Sequence, residues 1–114
     1  MKTVQTMAFQ GDVCFRRVDN LPAGMRDVTP KDGRCVVAHS ETGHDHVASG
    51  KLARLLAGQD PMVCYLQASD VLLIEHLRPF DTHEALSLIC GPGVTWEVRR
   101  QREWAPEGWR RVED

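Results

Sequence analysis

The amino-acid sequence predicts a single all-β domain spanning residues 1–114, a small barrel or sandwich of about six to eight strands, with room for one short helix. Three observations carry that expectation. Turn formers recur along the whole chain, at Gly11-Asp12, Pro22-Ala23-Gly24, Lys31-Asp32-Gly33, Asp60-Pro61, Arg78-Pro79 and Gly91-Pro92-Gly93. The pieces between them are short and carry Val, Ile, Tyr, Phe or Trp, which fit a pleated surface. In the clearest piece, Val94, Trp96 and Val98 alternate with Thr95, Glu97 and Arg99, the period of a strand with one packed and one wet face.

Taken in order, strands are expected at 13–18, 34–39, 62–68, 71–76, 85–90 and 94–102. Residues 1–9 show no clear period and are placed at a sheet edge. Residues 48–58 break the pattern: Leu52, Leu55 and Leu56, with alanines, Lys51 and Arg54, suit a short helix ended by Gly58, and equally a strand drawn into the sheet. Residues 105–114, with Pro106 and Gly108, read as a tail docked by Trp104 or Trp109.

Composition narrows the function classes. The 14 basic and 16 acidic residues are interspersed, so no footprint for nucleic acid or an anionic membrane stands out. No apolar run approaches the ~20 residues that span a bilayer, and residues 1–10 lack a signal-peptide pattern; a soluble, cytoplasmic protein is expected. Cys14, Cys35, Cys64 and Cys90 form no CxxC pair and sit beside apolar neighbours, as reduced thiols packed like small hydrophobes do. Arg99, Arg100 and Arg102 are offset by flanking acids and suit a solvated strand.

The chemistry concentrates in "AHSETGHDHVASG", residues 38–50, which holds three of the five histidines. His44 and His46 form an HxH pair. On a helix they would point ~200° apart, whereas on a strand they share a face ~6.5 Å apart, near enough to chelate one ion, with Gly43 able to re-aim them. Paired imidazoles suit Zn, Fe, Ni or Mn better than Ca or Mg. The expected third ligand is His83, in "DTHEA", with Glu75 or His76 in reserve, and Glu84, Glu41 or Asp45 as a base or a carboxylate that orients a histidine. His39 lies at the wrong strand parity and is demoted to a neighbour.

"GDVCFRRVDNLP", "SETGHDHV", "THEA" and "WEVRRQREW" with the closing "RVED" together resemble a family of small bacterial and phage-borne proteins of unassigned function. The likeness covers nearly the whole chain and puts Gly43, His44, His46, His83 and Glu84 at motif positions; Ala85 and Leu86 depart from it, where a further Glu and His are usual. The HxH element also resembles the first metal motif of cupins, small metal-binding β-barrels, although Ala38 and Gly50 or Lys51 stand where that motif has glycine and glutamate. What these resemblances imply is a metal site on a β scaffold.

The resulting expectation is a small protein binding a divalent transition metal, which could serve as a metal-dependent enzyme acting on a small molecule. The competing class is a non-catalytic phage or mobile-element accessory protein with structural histidines, and a third is a small-molecule binder without turnover. No nucleic-acid or membrane partner is expected. A homodimer is plausible, because a small β domain has edges to cover.

Overall fold

A computed structural model describes residues 1–39, 45–77, 84–100, 102–105 and 108–111. Within them lie thirteen strands and no helix: β1 (Lys2–Val4), β2 (Met7–Gln10), β3 (Val13–Val18), β4 (Arg26–Asp27), β5 (Cys35–Ala38), β6 (Asp45–Ser49), β7 (Arg54–Ala57), β8 (Val63–Gln67), β9 (Val71–Leu77), β10 (Leu86–Ile89), β11 (Thr95–Arg100), β12 (Arg102–Ala105) and β13 (Gly108–Arg111). The first sheet has the order β1-β10-β9-β6-β5 and the second β2-β3-β11-β8-β7-β4, while β12 and β13 pair with each other. Each large sheet keeps two edge strands, so the architecture is a sandwich and not a closed barrel. Residues 1–9 do lie at edges: β1 ends the first sheet and β2 the second.

The strand period puts every second residue into the space between the sheets. Leu72 and Ile74 of β9, Leu86 and Leu88 of β10, Ala48 of β6 and Cys35 of β5 come from one side; Ala8, Val13, Phe15, Leu66, Trp96 and Val98 come from the other, all buried. Each fully buried aliphatic or Phe side chain contributes roughly 1.5–3 kcal/mol to folding. At one end of this interior the buried Trp96 donates its indole N–H across to Ile89 O at 2.9 Å.

Three expectations change. Residues 48–58 are not helical but end one strand and begin another: β6 belongs to the first sheet and β7 to the second. Leu55 and Leu56 are both buried, on opposite faces of β7, which a helical stripe would not explain. The crossing between the sheets needs Leu52 in the left-handed region, at φ 56°, and a glycine at 50, where a Cβ would lie 2.4 Å from Val71 O. The second change is at the C-terminus, where the expected tail is the β12–β13 hairpin, with Trp104 and Trp109 at directly paired positions.

The third concerns the outer face of β11, which is wet only at Arg99: Thr95 and Glu97 are 3% and 7% exposed. Their polarity is absorbed locally. Glu97 Oε2 lies 3.4 Å from Arg16 Nη2 and its Oε1 3.3 Å from Arg99 Nε, and Thr95 Oγ1 accepts from Gln67 Nε2 at 2.9 Å.

Candidate functional site

The end of the interior opposite Trp96 is polar. β6 and β9 pair so that His46 stands directly across from His76, in the same facing rows as Ala48 and Ile74. Two imidazoles thus occupy core positions, at 1% and 7% exposure. Their rings stack with centroids 3.9 Å apart and planes 10° from parallel. On the other flank of β6 a bulge in β5 between Val36 and Ala38 brings the small Ala38 opposite His46, leaving space for the ring.

Across from these rings is the β2–β3 hairpin. Gln10 and Val13 pair around a two-residue Gly11-Asp12 loop, and Gly11 takes φ 60°, as the first position of a type II′ turn requires. Gln10 continues the inward parity of Ala8, so its amide enters the interior. Its Nε2 donates to Ile74 O at 3.2 Å and to Glu84 O at 3.0 Å. Both amide hydrogens are therefore directed at carbonyls, which fixes the orientation of the group and leaves Oε1 to face His46 Nδ1 at 2.9 Å. An amide oxygen can only accept, so Nδ1 carries the hydrogen.

In the neutral ring this tautomer places the lone pair on Nε2. Nε2 in turn faces Asp12 Oδ1 at 4.0 Å, and the Asp12 side chain is only 6% exposed. When the ring carries a proton on both nitrogens, His46 and Asp12 form an ion pair at this separation. The stacked pair itself is not a chelate: lone pairs lie in the ring plane, and two nearly parallel planes do not converge on one ion ~2.1 Å from each nitrogen.

His44, His83 and Glu41 lie outside the described residues. The described residues that bracket them gather at the His46 end: Asp45 pairs with Leu77, and Glu84 O receives Gln10. The carboxylate of Glu84 is 60% exposed and faces the amino group of Met1 at 3.5 Å. Asp45 Oδ1 lies 3.3 Å from Nδ1 of His39, so the histidine demoted by parity is the one this carboxylate orients. Arg100 Nη2 donates to His39 O. Glu75 is exposed on the outer face. Among the described residues no group of three or more His, Cys, Asp or Glu is arranged to hold a metal ion.

A family model for a domain of unknown function, DUF8820, matches residues 9–101. The chain belongs to this family. The matched segment contains Gln10, Asp12, His46 and His76, and ends before the β12–β13 hairpin of this DUF8820 protein. No curated protein and no solved structure matches the chain.

Reading the sequence of this DUF8820 domain missed Gln10 and Asp12, although "GDV" was among the segments that stand out. The signal was a polar residue, Gln10, at the inward parity of Ala8 on the strand that enters a turn. The cysteines are all free, with Cys35 buried and the others partly so. Burial, then the neighbouring Cys35, pushes the Cys64 thiol up to about 12, and burial pushes Cys90 up to about 11, which disfavours a reactive thiolate at either position. Among the described residues no helix is long and apolar enough to cross a membrane.

Proposed function

We propose that this domain binds a divalent transition metal, Zn, Fe, Ni or Mn, at the polar end of the sandwich, through His46 with His44 and His83. The observation that carries the reading is the contact of Gln10 Oε1 with His46 Nδ1, held by the two carbonyls that the Gln10 amide meets, which leaves Nε2 as the nitrogen to ligate in the proposed site. Protein histidines that ligate metals usually donate their other ring N–H to an oxygen in this way. A metal held there would act as a Lewis acid or activate a bound water for a small-molecule substrate, with Glu84 or Glu41 as the base.

Saturating the purified protein with each metal in turn, followed by elemental analysis, is expected to give stoichiometric binding that a His44→Ala/His46→Ala double variant loses. Equal binding by the double variant would sink the reading. A second reading, a structural metal staple in a non-catalytic phage or mobile-element accessory protein, is favoured by the burial of His46, because a saturated structural site needs no opening for substrate. Metal that raises the melting temperature while resisting displacement by small exogenous ligands would select this second reading.

A further inference from the structure

Among the described residues each sheet of the sandwich ends in two open-sided strands, β1 and β5 in the first and β2 and β4 in the second. An open edge invites pairing, and proteins guard edges with charge, proline, bulges or very short strands. β1 carries Lys2, β4 consists of Arg26 and Asp27 alone, and β5 is bulged between Val36 and Ala38. β2, the segment Met7-Ala8-Phe9-Gln10, has no charge, proline or bulge, and Met7 and Phe9 are each 51% exposed. We propose that β2 is a homodimer interface, at which two copies of this chain join their second sheets edge to edge, antiparallel, about a twofold axis at Ala8.

The register of the β2–β3 hairpin decides what this edge offers. In an antiparallel ladder, pairs that exchange both backbone bonds alternate with pairs that exchange none. Gln10 and Val13 flank the two-residue turn and exchange theirs, and Arg17 N–H donates to Thr6 O at 2.8 Å. The bonding pairs are thus Thr6 with Arg17, Ala8 with Phe15 and Gln10 with Val13. Met7 and Phe9 turn their N–H and C=O groups outward, to the open side. A second β2 centred on Ala8 sets Met7 against the partner's Phe9 and Phe9 against the partner's Met7, and each such pair can exchange both of its bonds.

Side chains and charge fit the same register. Met7 and Phe9 stand on the outer face, so across the junction a thioether adjoins a phenyl ring, a contact that sulfur and aromatic rings favour. Ala8, turned inward and 6% exposed, meets its own copy where the backbones approach to about 4.5 Å, and its methyl leaves room for that approach. A twofold axis sets each nearby charge against its own copy, and residues 6–10 carry none. Arg16, across from Met7 on β3, is already paired with Glu97 at 3.4 Å. Strands this short make a small interface, under ~1,200 Å² of buried surface, where complexes form and dissociate readily.

Sedimentation velocity of the full chain over a dilution series tests this. The 12.8 kDa chain is expected to sediment as a monomer when dilute and to approach twice that mass when concentrated. Phe9→Lys brings like charges together at the axis and should raise the midpoint concentration by about tenfold or more, whereas Val71→Lys, at another exposed apolar position, should leave it in place. In the wild type, exchange of the Met7 and Phe9 amides should slow with rising concentration, and far more than that of Ala8 and Gln10, which the β2–β3 ladder already protects. A chain monomeric at every concentration overturns the proposal and leaves the edge to a strand of a different protein. Met7 and Phe9 amides that exchange slowly even in dilute monomer also overturn it, because the chain then covers its own edge. A dimer that Phe9→Lys leaves intact, or that both lysine variants weaken equally, overturns it as well.

Discussion

The two ends of the sandwich interior solve one problem in opposite ways. Both carry a polar tie from the second sheet to the first: Trp96 Nε1 to Ile89 O at one end, Gln10 Nε2 to Ile74 O and Glu84 O at the other. The indole has a single donor, and the tie uses it up, leaving a large apolar body in the core that also holds Leu66, Leu72 and Leu88. The amide has an acceptor left over. That acceptor takes the Nδ1 hydrogen of His46 and so turns Nε2 toward the Asp12 carboxylate. At the Trp96 end the buried polarity stops at one satisfied bond, whereas at the other end it continues from the amide to the His46 ring and the Asp12 carboxylate.

The largest expected effect is at the indole end. Trp96→Ala should cost about 3–5 kcal/mol in urea denaturation, through lost burial and a cavity, and the penalty should be the same with or without Zn²⁺. His46→Ala should cost less, about 2–3 kcal/mol, because a smaller ring is removed and the amide oxygen of Gln10 is left to find another donor. Stabilisation by Zn²⁺, seen as a rise in melting temperature, should disappear in that variant and persist in Trp96→Ala. A metal effect that survives in both variants would break the contrast between the ends.

Glu97 sharpens the contrast from outside the interior. It is a buried carboxylate paired directly with Arg16 and Arg99, each about half-exposed, so solvent screens much of the attraction. Glu97→Gln is expected to cost about 1 kcal/mol by the same denaturation measurement and to leave Zn²⁺ binding unchanged.

The smallest effect belongs to the surface. Hydrogen bonds from the Thr29 hydroxyl and amide, then from Arg54, hold the carboxyl of Asp27 down at about 2. The folded value lies below the unfolded one of about 3.9. The small stabilisation from Asp27 is therefore present above pH ~4 and is lost as the pH falls through about 2. Carboxyl-carbon NMR should place the Asp27 midpoint well below those of exposed aspartates and return it toward them in Thr29→Ala.

Much of the scaffold was legible because its signals are local. The alternation of Val94, Trp96 and Val98 marks β11, and six expected strands coincide with β3, β5, β8, β9, β10 and β11 to within a residue or two. His46 does lie on a strand, as the HxH argument requires of it, while His44 lies outside the described residues. Residues 48–58 were ambiguous because adjacent leucines facing opposite covered surfaces erase the period that separates helix from strand. The C-terminal hairpin escaped notice for a similar reason, its β12 and β13 being four residues each around a segment that contains Pro106.

By itself the sequence determined most of the strand periods and the turns, since each depends only on neighbours along the chain. Tertiary structure decided everything about what His46 meets. Gln10 lies 36 positions from it and 74 from the carbonyl of Glu84, and His76 becomes its partner only through the register of β6 on β9. Register and sheet stacking are set by summed burial over the whole core, and no local spacing encodes them.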